Sequence, residues 1–146
     1  MKGDRLYQLA LKKALMEDAD LNEIFVLLVK AAKVDNYKAI YALGTWYLFG
    51  THVRKDVFKA FELFLKAAKN NVPEACFDVA NSYEEGVGTQ KDVNEAFVNY
   101  VKAALLGHKQ SIYEVGRLYY YGIGVKKDRQ LAKVWLDLAE FYGINE

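Results

Sequence analysis

Apolar residues along this chain recur at helical spacing in short blocks, and the blocks themselves recur. In "YKAIYALGTWYLF", Ala39, Ala42, Leu43, Trp46 and Tyr47 fall three or four residues apart, which lines one side of a helix. In "VFKAFELFLKAAKN", Phe58, Phe61, Phe64, Leu65 and Ala68 do the same and are expected to face inward. The punctuation between the blocks is specific. Gly50 stands where a helix C-terminus takes a left-handed residue, and Asp56 stands where a carboxylate can accept the unpaired amide protons of the next helix. Asn71, Gly107 and Gly143 close the second helix of each pair with residue types that tolerate the left-handed conformation. Pro73, the only proline, opens a helix, where its missing N–H does no harm. Eight helices are predicted, near 4–17, 20–34, 37–49, 56–70, 73–85, 92–106, 109–121 and 128–142.

The blocks have a period. Asp20, Asp56, Asp92 and Asp128 are each 36 residues apart, as are Ala31, Ala67, Ala103 and Ala139. The same step joins Gly50, Gly86 and Gly122, and Tyr47, Tyr83 and Tyr119. Lys55, Lys91 and Lys127 each precede the aspartate. The register is unbroken, so the expected architecture is all-α, with units near 1–35, 36–71, 72–107 and 108–143 forming a single domain over 1–146.

These residues resemble the Sel1-like repeat family, relatives of the tetratricopeptide repeats. The match runs through Leu43, Gly44, Tyr47, Gly50, Val53, Asp56, Lys59, Ala60, Lys66, Ala67 and Ala68, and again through Gly116, Tyr119, Gly122, Gly124, Val125, Asp128 and Trp135. Ala80 replaces the first glycine in the third unit, Leu63 and Asn99 replace the tryptophan, and the first unit keeps only its second helix, "DLNEIFVLLVKAAK". The resemblance covers about residues 20–143 and implies a right-handed α-solenoid of about four helix-turn-helix repeats. It also implies a scaffold for protein partners without naming one. One branch of the family is cysteine-rich and secreted, and this chain, with one cysteine, departs from it.

Bulk composition narrows the function classes. With 20 basic and 19 acidic residues the formal net charge is +1, so nucleic-acid or membrane binding driven by charge is not expected. Apolar residues make up 53%, which excludes a disordered chain. Cys76 cannot form an internal disulfide, and the N-terminus, broken by Arg5, Gln8, Lys12 and Lys13, does not read as a signal peptide. A cytoplasmic protein is expected.

Chemistry is sparse. Gly122-Ile123-Gly124 suggests a phosphate loop, yet it follows a helix, and its counterparts Gly50-Thr51-His52 and Gly86-Val87-Gly88 make it an interhelical joint. His52 and His108 are expected to be exposed and lack metal-ligand spacing or a nearby nucleophile. Cys76 shares the phase of Ile40 and Ile112 and reads as a packed thiol. Glu84 and Glu85, adjacent on a helix, diverge by about 100 degrees and read as a charged binding surface, not as an acid–base pair. No catalytic residue, cofactor or metal ligand is predicted.

Aligned with the tetratricopeptide relatives, the resemblance implies which first-helix residues line a concave face. The candidates are Lys38, Glu74 and Gln110; Thr45, Asn81 and Arg117; Leu48, Glu84 and Tyr120; and Phe49, Glu85 and Tyr121. Tyr41, Phe77 and Tyr113 share that face but are expected to pack in the core. Leu, Glu and Tyr at one phase are hard to reconcile with packing. They fit either a groove for a protein or peptide bearing a basic residue, or a solvated surface. On the last helix, Lys133, Asp137 and Glu140 occupy the phases of Phe61, Leu65 and Ala68, so a polar terminal cap and a complete array are expected. Val134, Leu138 and Phe141, beside Trp135, form a second apolar stripe. Either it makes a contact, including self-association, or a rotated terminal helix buries it.

The function expected is therefore a non-catalytic protein–protein interaction module, an adaptor or inhibitor. A bacterial immunity-type protein is one version. A small-ligand binder or enzyme using residues 119–128 is the alternative of another class.

Overall fold

The computed structural model describes residues 1–145, and its Cα framework divides into two compact units, Met1–Asn70 and Asn71–Glu146. Each holds four helices. The first contains α1 (Asp4–Ala14), α2 (Leu21–Lys33), α3 (Tyr37–Phe49) and α4 (Val57–Lys69). The second contains α5 (Pro73–Glu85), α6 (Val93–Leu105), α7 (Lys109–Tyr121) and α8 (Arg129–Phe141). Within each unit consecutive helices pack against one another.

Seven helices begin and end within a residue or so of the sequence expectation, and aspartate or asparagine caps, Pro73 and left-handed glycines mark most of those ends. Asp20, Asp56, Asp92 and Asp128 adopt extended backbone, and each carboxylate accepts an N–H from the first turn of the helix it opens, at 3.0–3.3 Å. Gly50, Gly86 and Gly122 are left-handed at φ 69–71°. The amides of Asp56, Asp92 and Asp128 reach back to the carbonyls of Tyr47, Tyr83 and Tyr119 at 2.8–3.0 Å, so each joint is closed by one recurring backbone bond. The exception is α1, which ends at Ala14 and not near residue 17. The amides of Leu15 and Met16 turn onto Lys12 and Lys13, and the chain bends to present Asp20 to α2.

The core of unit 1 is Ala10, Ile24, Leu28, Ala31, Ala39 and Leu43, flanked by Phe25 and Trp46. Asn36 is buried there with its capacity met. It caps Ala39 and donates to the Lys2 carbonyl and to Asp4 Oδ1, which ties α1 to the start of α3. In α4 the packed side is Ala60, Phe64, Ala67 and Ala68, and Phe58, expected inside, is 69% exposed. It stands in the first helical turn, before the first packed residue. The core of unit 2 is Ala80, Ala96, Tyr100, Val115 and Leu118, with Phe77, Phe97, Tyr119 and Trp135 against it.

Candidate functional site

The helix pairs set the spacing that brings polar groups together in unit 2. Gly116 lets α7 approach α8 so closely that a Cβ there would lie 2.8 Å from Leu136. Gly44 plays the same part against Phe64 in unit 1, at 2.6 Å. The α5–α6 pair differs, with Ala80 on α5 and Tyr100 on α6 at the phase of Phe64 and Leu136. The Tyr100 ring stays in the core against Phe77 at 5.8 Å, while its hydroxyl reaches the α5 surface.

That hydroxyl lies 2.5 Å from Asn81 Oδ1 and 2.9 Å from Glu84 Oε1. One phenolic proton can serve only one acceptor, and the carboxylate is the stronger. The O–H therefore donates to Glu84, and the Asn81 amide, turned over, donates its own N–H to the phenol oxygen. Arg117 on α7 completes the cluster. Its Nη2 donates to Glu84 at 2.7 and 2.9 Å, and its Nε donates to Glu114 Oε2 at 2.6 Å.

Burial alone would raise the Glu84 carboxyl, but the Arg117 and Tyr100 hydrogen bonds outweigh it and hold the group below its ordinary range. Burial would likewise ease the proton off Arg117, and the two glutamates reverse this, so the guanidinium stays charged. Burial together with the Glu84 charge pushes the Tyr100 phenol well up, leaving a permanent O–H donor.

These groups line an open hollow of about 780 Å³, completed by Glu85, Lys91, Val93 and Ile123. A second hollow of about 230 Å³ lies among Tyr113, Arg117, Tyr120, Tyr121 and Leu136. Tyr120 is held by the Arg129 guanidinium 3.8 Å from its ring centre, and Tyr121 meets it edge-on at 4.9 Å.

The sequence candidates distribute unevenly around these features. Asn81, Glu84 and Arg117 are joined in one network, Glu85 stands exposed at its edge, and Tyr120 and Tyr121 wall the neighbouring hollow. Glu74 is exposed and Gln110 half-buried, and neither lines a hollow described above. In unit 1, Lys38 and Phe49 are exposed, while Thr45 and Leu48 are partly covered, with the Thr45 hydroxyl turned onto the Ala42 carbonyl at 2.7 Å. Tyr41 packs on Phe64 at 5.4 Å and Phe77 on Tyr100, as expected of core residues, but Tyr113 faces the smaller hollow. Tyr100, Glu114 and Lys91 were not among the candidates. A tyrosine at a phase otherwise held by Phe64 and Leu136 was the available signal.

His52 is exposed and left-handed at φ 61°, taking the place of Gly88 and Gly124. His108 is not exposed as expected. It is half-buried, its ring centre 4.6 Å from that of Phe77 and its Nδ1 2.8 Å from the Ser111 hydroxyl, and burial lowers its pKa against the opposing pull of Glu74 and Asp78. Cys76 is fully buried. On α8, Val134, Leu138 and Phe141 are exposed, so burial by a rotated helix does not occur, and Trp135 is partly covered. Lys133 pairs with Asp137 at 2.7 Å on the polar stripe. Among the described residues no cluster of His, Cys, Asp and Glu has the form of a metal site, and no helix is long and apolar enough to cross a membrane.

A family model described as "Sel1 repeat" matches residues 38–72, 73–108 and 109–140. Among curated proteins none matches the chain. A solved structure of a protective antigen from uropathogenic Escherichia coli with an SLR fold is 26% identical at a TM-score of 0.92, over 97% of this chain and 31% of its own. A Sel1 repeat protein from Oxalobacter formigenes is 29% identical at 0.86, over 98% and 42%. The immunity protein Pa5087 from Pseudomonas aeruginosa is 27% identical at 0.67, over 97% and 53%. The chain therefore spans less than half the length of the first two. The eight helices of the described residues, repeating about every 36 residues, have the helical-repeat solenoid fold of these neighbours. Three matched repeats cover more than half of its residues, and the chain belongs to the Sel1 repeat family.

Proposed function

We propose that this chain is a non-catalytic interaction module that binds a protein partner on the α5–α7 face of unit 2, acting as an adaptor or as an inhibitor of that partner. Sel1 repeat proteins generally mediate protein–protein interaction. The observation that carries the reading is the gathering of Asn81, Glu84, Glu85, Arg117, Tyr120 and Tyr121 around two adjoining hollows. The period gives these phases different residues in each repeat, so the helix joints do not require them. Aromatic and arginine groups held in place by neighbours lose little freedom on binding, which favours a protein contact.

The enzyme alternative gains nothing from residues 119–128. The amides of Ile123 and Asp128 are bound to the carbonyls of Leu118 and Tyr119, and Gly124 is packed against the Val93 carbonyl, so the loop serves the joint. Neutralisation of a toxin is the more specific version of an inhibitor role, favoured by the likeness to a Pseudomonas immunity protein.

The test uses the whole chain as bait and then measures the affinity of the purified partner directly. Tyr121→Ala with Glu85→Ala should weaken binding at least ten-fold with helicity unchanged. Full affinity in that double variant would remove the face from consideration. A partner that arrests cells when expressed alone, and not beside this chain, would identify the inhibitor as an immunity protein.

A further inference from the structure

We infer that unit 2 reads a basic side chain and an adjacent aromatic one on the same partner segment, in two subsites divided by Arg117. This rests on the protein-binding reading above and narrows its partner. Arg117 is the side chain common to both hollows, the wider polar one and the smaller aromatic one. It is a fixed wall. Two carboxylates hold it through three hydrogen bonds of 2.6–2.9 Å, and its side chain is only 26% exposed.

The charges decide what the wider hollow admits. Glu84, Glu85 and Glu114 face Arg117 and Lys91 there, so one negative charge is in excess. An incoming carboxylate would have to displace Glu84 or Glu114 to reach the Arg117 guanidinium, and the other cation there, Lys91, stands among three carboxylates. An incoming ammonium or guanidinium displaces nothing. Glu85 is exposed and makes no ion pair among the described residues, and Glu114 lines the hollow with only its Oε2 bonded to Arg117 in the contacts above. The basic partner residue expected from the sequence would meet different carboxylates. Glu84 is committed to Arg117 and Tyr100, and Glu85 and Glu114 do the reading.

The smaller hollow suits one side chain. At about 230 Å³ it lies below the 300–1,000 Å³ or so typical of small-molecule pockets, and its walls are three tyrosines, Leu136 and Arg117. A ring entering there meets aromatic edges and a cation, a combination that favours an aromatic occupant over an aliphatic one. Arg129 holds Tyr120 in place before anything binds.

The experiment titrates the isotope-labelled full chain with blocked tetrapeptides and follows amide resonances. The central pairs are Arg-Trp, Glu-Trp and Arg-Ser between glycines. The Arg-Trp peptide should move the amides of residues 81–85 and 113–121 and bind at least five-fold more tightly than either of the others. Glu85→Gln should cut the Arg-Trp over Glu-Trp preference at least three-fold, and Tyr121→Ala should cut the Arg-Trp over Arg-Ser preference. Equal or tighter binding of the Glu-Trp peptide would overturn the inference, as would an Arg-Trp peptide that moves no amide. A partner captured through Tyr121 beside a silent peptide panel would sink the two-subsite assignment alone. Selective Arg-Trp binding with no protein partner would do the reverse.

Discussion

Arg117 Nη2 lies 2.7 and 2.9 Å from the two carboxylate oxygens of Glu84, across 33 residues of sequence, and the contact joins α7 to α5. Both side chains are about four-fifths to three-quarters buried, at 19% and 26% exposure. Glu84→Gln and Arg117→Leu should each cost about 2 kcal/mol of stability, because the first leaves Arg117 with Glu114 as its one carboxylate and the second leaves both glutamates without their cation. The double variant should cost less than the sum of the two, and a urea double-mutant cycle measures the difference. The carboxyl is held low in the folded chain, so the stabilisation is complete above its ordinary value of 4.5 and is lost as pH falls through the lower folded value. The Glu84→Gln chain should therefore show a shallower loss of urea midpoint below pH 4.5 than the parent. Parallel acid limbs would mean that the pair carries no linked stability.

His108 opens α7 while stacked on Phe77, and burial is the main cause of its lowered pKa. Glu74 and Asp78 pull the other way, and the Ser111 hydroxyl contacts Nδ1. A base whose folded pKa is depressed is neutral while the unfolded chain is already protonated. Its stabilisation is present above the ordinary 6.5 and declines as pH falls through the folded value. Imidazole resonances should titrate below 6.5 for His108. His108→Asn, which can cap α7 without titrating, should flatten the stability profile just below that pH. An imidazole titrating at or above 6.5 would contradict the burial.

Two glycines with the same backbone sign should respond differently to alanine. Gly124 has φ +70°, and a Cβ there would fall 2.0 Å from the Val93 carbonyl oxygen at the start of α6. Gly107 has φ +97° and nothing within 4 Å. Gly107→Ala should carry only the left-handed penalty of about 1–2 kcal/mol, whereas Gly124→Ala must also push α6 and its loop apart and should cost roughly 3 kcal/mol or more. Thermal melts of the two variants compare them directly. Equal losses would show that the loop yields without resistance.

The helix joints were legible in the sequence because aspartate and glycine act there on the backbone within a few residues of themselves. The end of α1 was not, since Leu15, Met16 and Glu17 are compatible with more helix and only the placing of Asp20 stops it. Phe58 misled through its spacing, which continues the apolar run of α4 one turn beyond the residues that α4 packs. The network around Arg117 was hidden for another reason. A 36-residue period compares Arg117 with Thr45 and Asn81, and Glu84 with Leu48 and Tyr120, but never Arg117 with Glu84. Pairs between different phases form only when helices lie side by side. Tyr100 reads as core from its phase and is core for its ring, and its hydroxyl partners lie 16 and 19 residues back on α5.

The outer side of α8 makes the last prediction. Leu131, Val134, Leu138 and Phe141 are spaced three, four and three residues apart and are 42%, 63%, 41% and 81% exposed. That is the seam spacing of paired helices, and the Lys133–Asp137 ion pair marks the polar stripe beside it. The occupant to test on this seam is a second copy of this chain. A helix of 13 residues is about 20 Å long and offers a small contact, so the association should be weak and concentration-dependent. Sedimentation velocity should show the parent chain shifting toward dimer at high micromolar concentration. Leu138→Lys should remain monomeric there with an unchanged melting curve, because Leu138 is exposed in the single chain. An unchanged sedimentation profile in that variant would exclude α8 as the dimer contact, leaving the seam for a different protein.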